Sequence, residues 1–148
     1  MAAYLSTELG GSANQTAAPV GYKPRATVYG ARLKRIRATV TYATQTTSDT
    51  LVLGVLPAGA TFAFGVVNTT VTTSTATLAI GISGTTGKYR AAAAVTGVDT
   101  PTLFGTAAQQ GAADPALSAE ETVIGTIGTA SLPASGTLVV DLYYSMPN

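Results

Sequence analysis

Apolar and polar positions alternate with a period of two over much of the chain after residue 34, the spacing of strands with one buried face. Ile36, Ala38, Val40 and Tyr42 alternate with Arg35, Arg37, Thr39 and Thr41. Leu51 to Leu56 is a short apolar run. Phe62, Phe64 and Val66 are placed on one face across Ala63 and Gly65, and Leu78, Ile80 and Ile82 on one face against Thr77, Ala79 and Gly81. Tyr89 to Val95 is weaker, because its four consecutive alanines have little β preference. Thr122 to Thr129 and Leu138 to Tyr144 complete the series; in the last, Leu138, Val140, Leu142 and Tyr144 face one way.

Turn-forming residues separate these runs. Pro57-Ala58-Gly59 lies between the second and third, Ser83 to Gly87 fits a hairpin loop, and Pro133 to Gly136 precedes the last strand. The pattern predicts about seven or eight strands in an all-β fold, an antiparallel β-sandwich or barrel. Gly105 to Glu121 is the long connection, and Asp114-Pro115 is a good cap and first-turn pair for a short helix from Pro115 to Glu120. A connection of this length is either a contact element or a solvated crossover between sheets. The first part of the chain has no lasting period. Ala, Ser, Gly, Asn, Thr and Pro dominate Gly10 to Pro24. The expected division is therefore an extended N-terminal arm over residues 1–25 and one β domain over 26–148.

Charge sharpens this division. Lys23, Arg25, Arg32, Lys34, Arg35 and Arg37 are six of the eight basic residues, and no acid lies between Glu8 and Asp49. Through residue 37 the formal charge is +5, six bases against Glu8; from residue 38 it is −4, Lys88 and Arg90 against six acids. Such a segment reads as a part that docks. It could meet nucleic-acid phosphates, meet an acidic protein surface, or be a solvated strand face whose charges discourage edge pairing. The aromatic residues Tyr22 and Tyr29 interleave with it, but base-stacking platforms present several aromatics on one sheet face, so direct nucleic-acid binding is not expected. Only 10% of residues are charged, well below the roughly 25% of a typical soluble domain. A surface so poor in charge repels its neighbours weakly and favours assembly.

The same composition argues against an enzyme. The chain has neither histidine nor cysteine, so the usual general base, the commonest metal ligand and all thiol chemistry are missing. Gly84-Thr85-Thr86-Gly87-Lys88 superficially matches part of a phosphate-binding loop. Ile82 stands where that loop needs glycine, Tyr89 where it needs Ser or Thr, and the context is strand to strand. The acids are scattered, and no segment supplies clustered oxygen ligands for calcium. No catalytic residue, metal site or cofactor is therefore expected. Asn14 and Asn68 match the glycosylation acceptor pattern, as chance allows in a threonine-rich chain. No run is apolar enough to span a bilayer as a helix. Met1 to Gly11 has no basic or apolar signal-peptide region, so synthesis in the cytoplasm is expected.

Larger blocks carry a resemblance. Asp49 to Ala60 is followed by Phe62-Ala63-Phe64-Gly65-Val66, then by Ala76 to Gly81, Gly87 to Ala92, Pro101 to Gly105 and a closing Gly136 to Val140. In order and texture, over about residues 26–146, this resembles small structural proteins of tailed bacteriophages, particularly capsid decoration or cement proteins. The resemblance implies a β-sandwich of jelly-roll type, commonly a homotrimer. Its place would be the outer capsid surface of the virion, its partner the major capsid protein, and its work to stabilise contacts between capsid subunits against internal pressure. It carries over no active-site residue. On this reading Lys23, Arg25, Arg32, Lys34, Arg35 and Arg37 contribute to capsid docking. The alternative is a receptor- or glycan-binding module of a phage fibre or head spike, for which Tyr89, Tyr143 and Tyr144 are the candidate sugar-stacking residues.

Overall fold

A computed structural model describes residues 32–107 and 116–146. Its eight strands are β1 (Leu33–Thr41), β2 (Thr50–Leu56), β3 (Thr61–Thr69), β4 (Thr77–Ile82), β5 (Thr85–Ala93), β6 (Thr102–Phe104), β7 (Glu121–Gly128) and β8 (Thr137–Ser145). They form two four-stranded sheets, ordered β1-β8-β3-β6 and β2-β7-β4-β5, and all strand pairs are antiparallel. The all-β sandwich expected from the periodicity is the observed architecture. The expected arm over residues 1–25 lies outside the described residues.

Period-two alternation puts one face of each sheet into a shared core. Leu138, Val140 and Leu142 of β8, Val123 and Ile127 of β7, and Leu78 and Ile80 of β4 are essentially inaccessible to solvent. Burial of such side chains contributes about 1.5–3 kcal/mol each. The aromatic centre is Phe62, whose ring centroid lies 4.5 Å from that of Tyr89 and 6.4 Å from that of Phe104. Edge strands β1 and β2 meet along one side of the sandwich. There β2 bulges between Val52 and Gly54; Gly54 has φ +154°, and a Cβ on it would lie 2.7 Å from Ile36 Cγ2. Glycine is required there both by conformation and by the approach of β1.

Three local expectations differ from the structure. Phe62 and Phe64 do not share a face, because a register shift between them puts Ala63 in a bulge: Phe62 pairs with Tyr144 and Phe64 with Tyr143. Phe62 points into the core, while Phe64 and Val66 point out of the sandwich. The expected hairpin loop over 83–87 shrinks to Ser83–Gly84, with Gly84 at φ +82°, and Thr85 to Gly87 join β5. Residues 116–120 are not helical. Leu117 instead exchanges backbone hydrogen bonds with the β2–β3 turn, its carbonyl accepting from Gly59 N at 2.7 Å and its N–H donating to Ala60 O at 2.8 Å. These bonds divert its backbone from the helical pattern. Strand β6 has no counterpart in the sequence pattern; three residues are too few to show a period.

Candidate docking surface

Strand β1 carries the described part of the basic cluster along one edge of the first sheet. Arg32 immediately precedes it, Lys34, Arg35 and Arg37 lie on it, and all four are exposed. Lys23 and Arg25 lie outside the described residues. Alternation turns Arg35 and Arg37 outward, opposite to Ile36, Ala38 and Val40, which pack against the core. Lys34 shares the inward parity but sits at the strand end, where its Nζ approaches Met146 Sδ at 4.0 Å.

The structure separates these cations by occupation. Register pairs Arg37 with Asp141 on β8. Its Nε donates to Oδ1 at 2.7 Å and its Nη2 to Oδ2 at 2.6 Å, a two-pronged clamp on a buried carboxylate. The hydrogen bond from Arg37, with its charge, holds Asp141 below the usual carboxylate range against the opposing effect of burial; the same contacts raise Arg37. Lys88 and Arg90 are also committed internally. Lys88 Nζ donates to Glu121 Oε1 at 2.5 Å, while the Tyr89 hydroxyl donates to Oε2 at 2.6 Å. Arg90 donates to the carbonyls of Leu78, Ala93 and Ala94, where pairing between β4 and β5 is irregular. Burial lowers the Arg90 pKa. Arg32, Lys34 and Arg35 form no ion pair among the described residues.

The outer face of the same sheet holds what the sequence pattern hid. Tyr143 and Phe64 stack there with ring centroids 4.6 Å apart and planes inclined by 20°. Arg35 is in register with Tyr143, so a cation and two rings run across β1, β8 and β3. In the next row Arg37, Asp141, Val66 and Leu103 follow one another across all four strands, and Leu103 is 71% exposed. Phe64, Leu103, Phe104 and Gly105 line an open hollow of about 430 Å³. The sequence signal was the adjacent pair Tyr143-Tyr144, one of which had to face outward. Tyr144 packs against the core and Tyr143 is the outward one. Tyr89, named with them for sugar stacking, is fully buried and cannot stack on a ligand at the surface.

Chemically the surface offers cations, aromatic and aliphatic faces and a shallow hollow. Among the described residues no three His, Cys, Asp or Glu side chains come together to hold a metal ion, and no helix is long and apolar enough to cross a membrane. The segment with partial phosphate-loop likeness is the β4–β5 hairpin, and its Lys88 is bound to Glu121.

No family model and no curated protein matches this chain. Solved structures share its fold. A chain of the capsid asymmetric unit of cyanophage Pam1 aligns with TM-score 0.56 and 21% identity, over 92% of this chain and 96% of that one. A chain of the capsid of Ralstonia phage GP4 aligns with TM-score 0.58 and 19% identity, over 85% and 90%. A chain of the acid-stable capsid of Helicobacter pylori bacteriophage KHP30 aligns with TM-score 0.56 and 14% identity, over 78% and 89%.

Proposed function

We propose that this chain is a structural protein of a bacteriophage virion, bound to the outer capsid surface as a homotrimeric decoration or cement protein that stabilises contacts between major capsid subunits. The observation that carries this reading is the completeness of the capsid likenesses. Each covers most of both chains, so the matched capsid chains are small chains of similar length rather than large proteins that share one domain with this one. The strand order supports a sandwich of jelly-roll type, since every consecutive pair of strands except β4 and β5 changes sheet.

The electrostatics agree with a docking role. Arg37, Lys88 and Arg90 serve the fold, whereas Arg32, Lys34 and Arg35 remain available at one end of β1. Lys23 and Arg25 precede them in the sequence and extend the same basic stretch. Such charges speed encounter with an acidic surface and fix register on it.

Virions assembled with and without the chain test the proposal. With it present, the protein should be found on purified particles, and particles lacking it should release their genome at a lower temperature. Absence from purified virions, with unchanged heat resistance, would overturn the reading.

A further inference from the structure

We propose that the outer face of the β1-β8-β3-β6 sheet is a protein-docking face, and that its occupant is a segment of a different polypeptide presenting a carboxylate beside an apolar side chain. As the surface used in capsid attachment this rests on the function proposed above; as a statement of binding chemistry it stands on the face itself.

An antiparallel sheet with one buried face normally turns polar residues to water on the other. Here that alternation fails on adjacent strands. Phe64 on β3 and Tyr143 on β8 stack outside the core, and Leu103 on β6 is 71% exposed. The Ala63 bulge is what turns Phe64 outward, and bulges recur where a strand must re-aim a side chain. Phe64, Leu103 and Phe104 border the hollow of about 430 Å³, a space open at the surface and suited to one inserted apolar side chain.

Charge selects the occupant. The acid on this face, Asp141, is saturated by Arg37. Arg35 exerts a weaker pull on Asp141 but is not paired with it, and it stands in register with Tyr143 at the border of the rings. The face therefore presents an available cation next to an apolar surface. A carboxylate at Arg35 with an apolar neighbour over Phe64 and Leu103 satisfies both. A second copy of the same face does not: an isologous pairing adds cations and supplies no free acid.

Two probes test this on the full chain. The capped peptide Leu-Glu-Leu should shift the ring resonances of Phe64 and Tyr143 in NMR titration, and Leu-Lys-Leu should not. Arg35→Glu should reverse that preference. In sedimentation with capsid shells, Arg35→Glu and Leu103→Ser should each weaken binding about tenfold, as loss of an interface anchor does. Ala92→Ser, a change at an exposed residue of β5 on the other sheet, should leave it unaltered. Melting temperatures within about a degree of the parent keep a folding defect from imitating the result. If Leu-Glu-Leu binds while the parent chain ignores the shells, the face is upheld and the capsid reading fails. Absence of ring shifts, ring shifts equal for both peptides, or shell binding by the parent that both variants retain in full overturns the proposal. So does glycan-array binding that depends on Phe64, or a solution mass changed by Leu103→Ser, which would identify a sugar or a sibling copy as the occupant.

Discussion

Asp141 shows how one residue can settle what a run of like charges leaves open. Read along the chain, Arg35 and Arg37 are equivalent outward-facing bases. Across the sheet they are not, because only Arg37 is in register with the carboxylate on β8. Asp141 is held below its ordinary range in the fold, chiefly by the Arg37 hydrogen bond. Its contribution is therefore complete above the unfolded carboxylate value of about 3.9 and is lost as pH falls from there through the lower folded value. Asp49, lowered by its bonds to Thr46, adds to the same acid-side slope. Urea unfolding of Asp141→Asn across pH 7 to 2 should show lower stability than the parent at neutral pH and a gap that narrows below about pH 4. A gap independent of pH would mean that the pair contributes through packing alone. Tyr89 supplies a second residue-scale case. Burial, then the bond to Glu121, raises its pKa far above the ordinary tyrosine range. Tyr89→Phe removes a charge-assisted hydrogen bond while keeping the ring against Phe62, and should cost roughly 1–3 kcal/mol in chemical denaturation.

At the level of elements, strand existence was largely legible and strand register was not. Ile36 to Tyr42 and Leu138 to Tyr144 alternate cleanly because each has one face in the core and one outside it, which is the condition that imprints a period of two; Leu78 to Ile82 alternates in size instead, with small Ala79 and Gly81 on a second face that is also buried. The Phe62–Val66 segment carries the same apparent alternation, yet its two phenylalanines end on opposite faces. A bulge inserts one residue without changing composition, so nothing local to Phe62-Ala63-Phe64 marks it. The outward aromatic pair is hidden for that reason, although Tyr143 stands out beside Tyr144 in the sequence. Strand β6 is hidden because its place is set by β3, not by its own pattern. Phe104 lies over Gly65, where a Cβ would come within 2.0 Å of the ring. Gly65→Ala should therefore displace Phe104, loosen β6 and cost roughly 1–3 kcal/mol. Combining it with Phe104→Leu should recover part of that loss. Equal or additive destabilisation in the double variant would show that the contact is not the cause.

On the scale of the whole molecule, the remaining issue is how copies of the sandwich associate. The described body keeps few free charges: Asp141 and Glu121 are paired, Asp49 is folded into its own turn, Asp99 and Glu120 are the exposed acids left over among the described residues, and the available cations gather at one end of β1. Other faces lack strong charge repulsion. The second sheet leaves Val52 and Val55 exposed at 67% and 43% on edge strand β2. These features favour self-association through the β body and leave the basic segment for another partner. Light scattering of the full chain should then give three copies per particle, and removal of residues 1–24 should leave that number unchanged. A trimer that falls apart on truncation would move the subunit contact to the N-terminal segment and take it from the role of meeting the shell. A monomer in both forms would remove the trimer from the proposal, and with it the avidity that three linked copies lend to weak individual contacts.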